Sequence, residues 1–547
     1  MTWPNKQDAA NPAMTFQLHA GSQWHRVADP GRWTSLDARH GFRTRRRTRY
    51  SKWNPGKETG AFDPSMHSQR KALLIALVTL FAAALCLPPP ARGEEVSAKL
   101  LQKDFQILRH ALEEAHGGLY QYTSKRAMDR TFDRAYRKID HPMPPLEFWR
   151  LASPVVSHIK CGHTFLFYPK AVQENLGSLP LFPLVTRIVD DRLYGYRDLV
   201  NPRSRLEGAE LLSINGVPVK KLLKSLRSVV NGDGNTPTAT DYFITPFTNF
   251  RFFLYGLGIE SPFRLEYRDK GGMRQSTTLA GTEQPIANEA WRARNPQSDT
   301  APNAELRFLD DGRIAALTVR HWYRYADAAR KLTFSDFLKT SFTQIHQRGT
   351  TNMIIDVRDD DGGLDIPVVE LFTYLWNQPF HVYRDITCNA REFDFLKYAP
   401  EGQPVQGELV RGADRKLHVV KQTGLDVQQP LPPHYDGRVF ALMNGGSFSS
   451  STEFLALLRF YKRAKLVGET PAGTYYGYTC GQMVDLILPN SKLDLNFGLL
   501  TFYLDGNGYK YANRSIRPDY PVRYTINDLL AGSDKDMELA LSLARAK

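Results

Sequence analysis

Residues 443–453 read Met-Asn-Gly-Gly-Ser-Phe-Ser-Ser-Ser-Thr-Glu, a run of small and hydroxyl side chains between two regular elements. Before it, the apolar stretch Arg438–Met443 is typical of a buried strand, and after it Ser449–Phe460 follows a helical spacing. Ala464–Val467 is a further short apolar stretch, again typical of a strand. A strand, a helix and a strand in this order predict an α/β layer with a largely parallel sheet.

The same alternation extends toward the N-terminus as far as about residue 305. Strands are predicted at Ile314–Val319 and Met353–Val357, and helices at Phe334–His346 and Ile366–Trp376. We therefore assign residues 301–547 to one α/β domain, which carries the chemistry discussed below.

Two further regions precede this domain. Residues 94–178 show helical spacing and form a predicted N-terminal helical segment. Residues 179–300 contain short alternating stretches and turn dipeptides such as Asn215-Gly216, so we expect a β-rich module there. Three regions in a chain of 547 residues agree with the usual size of domains.

The chain carries a net charge of +14, and +9 of it lies in the first 93 residues. Only +5 is left for residues 94–547, which is too diffuse to indicate nucleic-acid binding. The four cysteines are too few for a disulfide scaffold.

The N-terminal region contains a predicted signal peptide at residues 66–93. Arg70 and Lys71 precede an apolar run, Ala72–Leu87, which ends at three prolines and the small residues of a cleavage site after Gly93. Residues 1–65 are then a disordered or mis-called extension, with translation starting at Met66. The alternative is a real tail on an uncleaved anchor. Either reading predicts export to the periplasm or the outside, with membrane attachment only through this segment.

The run at 443–453 is the strongest candidate site. A serine at the start of a helix has an exposed hydroxyl, and the first-turn N–H groups stabilise a developing oxyanion. N-capping is the alternative, although consecutive hydroxyl residues exceed what one cap needs.

A second candidate follows the strand Met353–Val357. The segment Asp359-Asp360-Asp361-Gly362-Gly363 is a tight turn, and its exposed glycine N–H groups could donate to an oxyanion. Its carboxylates could instead bind a hard cation or form a solvated acidic turn. Because the alternating spacing of a calcium loop is lacking, we predict no metal.

These two motifs, in this order, resemble peptidase family S41, which includes the C-terminal processing (tail-specific) and tricorn-type serine proteases. Further matching segments are Asp104-Phe105, Ala115–Tyr120, Glu207–Gly216, Gly468–Gly473 and Ile516–Asp519. The resemblance implies a ClpP/crotonase-like catalytic domain and a PDZ-like character for residues 179–300. In the PDZ-like module, Leu211–Ile214 would be the strand that takes up a peptide C-terminus by β-addition.

The resemblance also assigns roles to residues of the two motifs. The nucleophile would be the serine three before Glu453, which is Ser450, with Ser449 and Ser451 as the nearest alternatives. The oxyanion would be bound by the N–H of Ser451 and by that of Gly362 or Gly363.

The general base is predicted from a difference between this sequence and the processing proteases, which use a lysine. Their lysine is matched here by Thr474, and no lysine is near. The segment Gly162-His163-Thr164 resembles the tricorn-type motif, so His163 is the predicted base. Glu469 is the first candidate for the group that orients it, with Asp505, or a hydroxyl or carbonyl group, as alternatives. Cys161, two residues before His163, leaves a thiol–histidine pair or a metal site as alternatives.

The sequence therefore predicts an exported serine-type endopeptidase that cleaves peptides or protein tails and uses no cofactor. The alternative from another class is a non-catalytic peptide-binding or scaffold protein that retains the fold, and an ester-cleaving hydrolase is a third option. A peptide or protein substrate is the only partner expected, and the sequence does not indicate an oligomeric state.

Overall fold

The computed structural model describes residues 94–201, 203–245, 249–294, 301–505 and 515–546. The predicted signal peptide and the extension before it lie outside these residues. Within the described ranges, no helix combines the length and the apolar character needed to cross a membrane.

The helices and strands are numbered here in chain order. The helices are α1 (Ala98–Ala115), α2 (Lys125–Tyr136), α3 (Pro145–Ser157), α4 (Lys170–Asn175), α5 (Val219–Arg227), α6 (Pro237–Ile244), α7 (Asn249–Gly256), α8 (Gln284–Arg294), α9 (Phe334–Gln347), α10 (Asp365–Leu375), α11 (Ser450–Phe460), α12 (Ile526–Ala531) and α13 (Lys535–Arg545). The strands up to residue 350 are β1 (Phe165–Phe167), β2 (Leu184–Val189), β3 (Arg192–Asp198), β4 (Glu210–Ile214), β5 (Val217–Pro218), β6 (Phe263–Arg268), β7 (Arg274–Leu279), β8 (Ala304–Leu309), β9 (Ile314–Val319), β10 (Tyr325–Asp327) and β11 (Leu332–Thr333). The later strands are β12 (Asn352–Asp356), β13 (Tyr383–Cys388), β14 (Leu409–Arg411), β15 (Leu417–Val419), β16 (Arg438–Met443), β17 (Lys465–Gly468), β18 (Gly477–Ile487), β19 (Asp494–Leu504) and β20 (Tyr520–Pro521).

A six-stranded sheet in the order β20-β17-β16-β12-β9-β8 holds the predicted α/β region together. Its strands are parallel except β8, which pairs antiparallel with β9. Ile355 at the centre pairs with Leu317 on one side and Ala441 on the other, and all three are buried. Strands buried on both faces are continuous apolar runs, which explains why the sequence predicted β9, β12, β16 and β17 within one residue. The edge strands β8 and β20 were not predicted.

A second sheet has the order β1-β19-β13-β15-β14, with β18 also paired to β19. Its centre is the long antiparallel hairpin of β18 and β19, which the sequence analysis did not predict. Ten of the eleven residues of β19 are buried, so the strand lacks the alternation of a half-buried strand. The β1 strand, which follows His163 in the chain, pairs with this hairpin.

The third sheet, β2-β3-β4-β6-β7, is antiparallel and occupies the predicted β-rich region. The strand Leu211–Ile214 lies inside it, with β3 and β5 on one side and β6 on the other. Both edges of this strand are therefore occupied. The predicted β-addition of a peptide to Leu211–Ile214 is wrong for this reason.

A cluster of charges joins the central sheet to the last helix. Arg358 lies just beyond β12 and forms ion pairs with Asp356 at 2.7 Å, Asp534 at 2.6 Å and Asp536 at 3.1 Å. Asp534 also caps α13, because its side chain accepts a hydrogen bond from the N–H of Met537. Only 15% of the Arg358 side chain is exposed, so water screens the cluster weakly.

Replacing Arg358 by alanine should therefore loosen α13 from the sheet. Breaking a fully buried ion pair costs roughly 3–5 kcal/mol, and we expect about 2 kcal/mol here because Asp534 is half-exposed. The matched control is Arg545→Ala on α13, whose pair with Asp310 is exposed and screened by water, so its loss should cost clearly less stability. Urea unfolding of both variants measures the two costs, and equal costs would contradict this role for Arg358.

Candidate active site

The imidazole of His163 and the hydroxyl of Ser449 meet across two distant parts of the chain. The Nε2 atom of His163 lies 3.0 Å from Oγ of Ser449, within hydrogen-bond distance. His163 lies in the turn between α3 and β1, whereas Ser449 immediately precedes α11. The predicted base therefore contacts a serine of the predicted run.

Ser449 differs from its neighbours in its backbone. Its φ of 50° and ψ of −119° are strained values for a residue with a side chain, as is common where a nucleophile is held at a sharp strand-to-helix turn. Although it occupies the N-cap position of α11, its hydroxyl caps no backbone N–H group. N-capping, the alternative considered for this run, therefore does not account for Ser449.

The other hydroxyl groups of the run are bound to structural partners. They are Ser447 on the carbonyl of Val357, Ser450 on the carbonyl of Gly363, Ser451 under the indole N–H of Trp322, and Thr452 on the carbonyl of Ser447. These four residues are buried, and Ser449 is partly exposed. Ser449 thus combines contact with the imidazole and access to solvent.

The predicted contact between Ser450 and His163 is not formed. Ser450 is the first residue of α11, and its Oγ lies 3.1 Å from the carbonyl oxygen of Gly363, to which it donates. Successive side chains in a helix differ in direction by about 100° around the helix axis, so neighbouring serines face different partners. The structure accordingly places Ser449, which the sequence analysis held as an alternative, against the base.

His163 is enclosed by aromatic rings. Its imidazole stacks on Phe448 at a centroid distance of 4.4 Å and lies 5.2 Å from the ring of Tyr478. Burial lowers the pKa of the His163 imidazole to about 3, so the ring is neutral at neutral pH. Its Nδ1 atom is buried and has no hydrogen-bond partner among the described residues.

The backbone N–H groups near Ser449 differ in whether they already donate a hydrogen bond within the protein. The N–H of Gly362 donates to Oδ1 of Asp360 at 3.0 Å, and that of Ser451 donates to the carbonyl of Phe448 at 3.0 Å. The N–H groups of Gly363 and Ser450 have no hydrogen bond to any described residue. Of the three predicted oxyanion donors, only Gly363 has an N–H without a hydrogen bond to a described residue, and the N–H of Ser450 is equally unbonded.

The turn before these amides packs directly on Ser449. A Cβ atom added to Gly362 would lie 2.6 Å from Cβ of Ser449 and 3.1 Å from the backbone nitrogen of Ser450. Gly362 also has a φ of 110°, a conformation that favours glycine. The absence of a side chain at this position is thus required by the site.

The predicted acids do not reach His163. Glu469 follows β17, its N–H donates to the carbonyl of Met443, and its electrostatic neighbours are other carboxylates. No hydrogen bond joins either Glu469 or Asp505 to the imidazole. The carboxyl group that lies near His163 is that of Asp233, which the sequence analysis missed because 70 residues separate the two.

A buried carboxyl group lies beneath the site on α11. Oε1 of Glu453 accepts hydrogen bonds from the hydroxyl groups of Tyr383 and Tyr478, and Tyr478 in turn packs against His163. Burial raises the pKa of Glu453 well above its ordinary value, because the charged carboxylate is poorly solvated there. Glu453 therefore ties the serine-bearing helix to the sheet that supports the histidine.

Three groups of described side chains bring potential metal ligands together. They are Cys161 with His163 and Asp233, His321 with Asp360 and Asp361, and His110 with Glu114 and Asp394. In the first group, burial raises the pKa of the Cys161 thiol to about 12, and the thiol donates to the carbonyl of Thr479. A metal ion there would require loss of that proton and of this hydrogen bond.

Comparison with known proteins adds a family and a fold. Residues 313–522 match Peptidase family S41. Among curated proteins no match was found. Mature CPAF aligns at 14% identity over 82% of this chain and 97% of its own, with a TM-score of 0.55. CPAF complexed with lactacystin aligns at 15% identity over 82% of this chain and 98% of its own, with a TM-score of 0.57. A photosystem II D1 C-terminal processing protease aligns at 12% identity over 82% of this chain and 97% of its own, with a TM-score of 0.37. The likeness to CPAF shows a shared fold.

Replacing Glu453 by glutamine should remove a pH-dependent part of the stability. The raised pKa means that the contribution of Glu453 is fully present below its unfolded pKa of roughly 4.3 and is lost as pH rises through the folded value. Glutamine keeps the oxygen that accepts from Tyr383 and Tyr478 but cannot ionise. As pH rises from about 5 to about 9, the wild type should lose stability that the variant keeps. The melting temperature of the variant minus that of the wild type should therefore increase with pH. A constant difference would contradict a buried neutral carboxyl group.

Proposed function

We propose that this chain, whose residues 313–522 match Peptidase family S41, is an exported serine endopeptidase that works through an acyl-enzyme on Ser449. The observation that carries the proposal is the 3.0 Å contact between Oγ of Ser449 and Nε2 of His163. A base within hydrogen-bond distance of a partly exposed serine is the geometry that nucleophilic catalysis requires.

His163 acts as the general base. Its burial among Phe448 and Tyr478 keeps the imidazole neutral, so Nε2 can accept the proton of Ser449 at neutral pH. The alkoxide attacks the peptide carbonyl carbon, and the imidazolium then gives its proton to the leaving amine. Water, deprotonated by the same imidazole, releases the acyl group and restores Ser449.

The N–H groups of Gly363 and Ser450 bind the oxyanion. Ser450 directly follows Ser449, the carbonyl of Gly363 accepts from the hydroxyl of Ser450, and neither amide N–H is hydrogen-bonded to a described residue. Ser450 also begins α11, so the helix dipole adds to the stabilisation of negative charge there. Loss of one such donor typically costs about 10²–10³ in rate.

Peptides or protein tails are the proposed substrates, and export is part of the proposal. Export rests on the basic residues, apolar run and small residues at 66–93 of the sequence. N-terminal sequencing of the protein recovered from the periplasm or medium tests it, with Glu94 expected as the first residue. A start upstream of Met66 would contradict a cleaved signal peptide.

Ser449→Ala should abolish covalent labelling by a fluorophosphonate probe, because the alkoxide that attacks phosphorus is lost. Ser450→Ala is the matched control. It removes only a hydroxyl bound to the carbonyl of Gly363, so we expect labelling to fall less than about tenfold. Active-site peptide mapping of the labelled wild type identifies the modified serine. Loss of labelling in Ser450→Ala alone would instead support Ser450 as nucleophile, and an unlabelled wild type would support the non-catalytic alternative.

Gly362→Ala should impair the reaction more than the fold. The added methyl group collides with Cβ of Ser449, and we expect the labelling rate to fall by about 10² or more. Gly216→Ala is the control, since Gly216 also has a positive φ of 78° but has open space around its Cβ position. That variant should lose stability and keep its labelling rate. Similar labelling rates for the two variants would contradict a role of the Gly362 turn in the site.

A further inference from the structure

The carboxyl group of Asp233 lies beside the imidazole of His163. A carboxylate oxygen of Asp233, a ring nitrogen of His163 and the sulfur of Cys161 all lie within 4.8 Å of one another. Asp233 is 3% exposed and belongs to the loop between α5 and α6, far from the serine run in sequence. The mechanism described so far assigns it no role.

The loop that carries Asp233 is fixed to the turn that carries His163. Oδ1 of Asp233 accepts the N–H of Gly162 at 2.7 Å, and the N–H of Gly234 donates to the carbonyl of Lys160 at 2.9 Å. On its other side, the N–H of Asp233 donates to the carbonyl of Ala472 at 3.3 Å. The carboxyl group therefore has a fixed position relative to the residue just before the base.

The imidazole lacks a partner on one side. Nε2 of His163 faces Ser449, while Nδ1 is buried and has no hydrogen bond to any described residue. When Nε2 takes the proton of Ser449, Nδ1 keeps its own proton and the ring becomes a buried cation. A buried cation without a nearby negative charge is costly, and an acid at this position would offset that cost.

We propose that Asp233 is the positioning acid of this site, which holds the imidazole of His163 in place and stabilises its protonated form. The inference rests on the proposed roles of Ser449 and His163. In the step, the O–H bond of Ser449 breaks, its proton goes to Nε2, and the carboxylate of Asp233 remains unprotonated. The charge of the imidazolium is thus balanced by a group that does not itself take the proton.

The electrostatics of Asp233 agree with this role. Burial raises the pKa of its carboxyl group to about 7, and an adjacent imidazolium favours the ionised form. Cys161, the third member of the cluster, donates its thiol proton to the carbonyl of Thr479 and is not an acid at neutral pH. Neither Glu469 nor Asp505 forms a hydrogen bond with the ring. Among the described residues, Asp233 is therefore the carboxylate best placed to act on His163.

The test measures the rate constant of fluorophosphonate labelling in the full chain. Asp233→Asn keeps the oxygen that accepts the N–H of Gly162 but removes the charge, and we expect the rate to fall about 10²-fold or more. Asp494→Asn is the matched control, since burial also raises the pKa of Asp494 to about 7 but it lies at the start of β19. That variant should retain the wild-type rate.

A double-mutant cycle separates positioning from mere structural support. In a His163→Ala background, Asp233→Asn should change the residual rate less than about twofold, because its effect acts through the imidazole. An equal loss in both backgrounds, or a wild-type rate in the single variant, would overturn the proposal. If Asp233→Asn unfolds, Asp233→Glu is compared with Asp233→Gln, and equal rates for these two would also overturn it.

The outcomes distinguish this inference from the function on which it rests. A labelled wild type with an unaffected Asp233→Asn variant leaves the Ser449–His163 pair standing and removes Asp233 from the site. A wild type that is not labelled at all overturns the proposed function and the role of Asp233 together. Loss of labelling in Glu469→Gln, with Asp233→Asn unaffected, would return the orienting role to Glu469.

Discussion

The site depends on the parallel pairing of β9, β12 and β16, because parallel strands end at the same edge of a sheet. The segments that leave these three strands carry Trp322, the Gly362–Gly363 turn and Ser449. Trp322 donates its N–H to the carbonyl of Gly362 and its indole N–H to Ser451. Each segment thus restrains the next, and a strained serine backbone persists only where its surroundings over-determine it.

The hydroxyl groups of the serine run fall into two kinds: four form structural hydrogen bonds, and that of Ser449 contacts His163. Ser447, Ser450 and Thr452 are bonded to backbone carbonyls, and Ser451 accepts from Trp322. These bonds satisfy buried polar groups, which would otherwise be costly. They also leave Ser449 as the hydroxyl of this run that contacts His163, because the neighbouring hydroxyl groups are bound elsewhere. His163 and Glu453 are buried and Ser449 is partly exposed, so the contact joins a buried base to an accessible hydroxyl.

The α/β layer could be predicted from the sequence, because buried strands and amphipathic helices differ in the period of their apolar residues. The two motifs could be found from their residue types at the ends of predicted strands. The sequence could not select among adjacent serines, because a shift of one residue at a helix start changes the direction of the side chain and leaves the composition unchanged. It also could not find Asp233, whose position beside His163 results from packing between loops 70 residues apart. The β18–β19 hairpin was missed since its buried strand has no alternation.

The contact between His163 and Ser449 joins residues 286 positions apart in the chain. The histidine is contributed by the helical part and the serine by the parallel sheet, and the intervening antiparallel module must fold between them. A chain that has folded only one of these parts therefore has a serine without a base, or a base without a serine. In the proposed mechanism, hydrolysis would therefore require that both parts of the chain have folded.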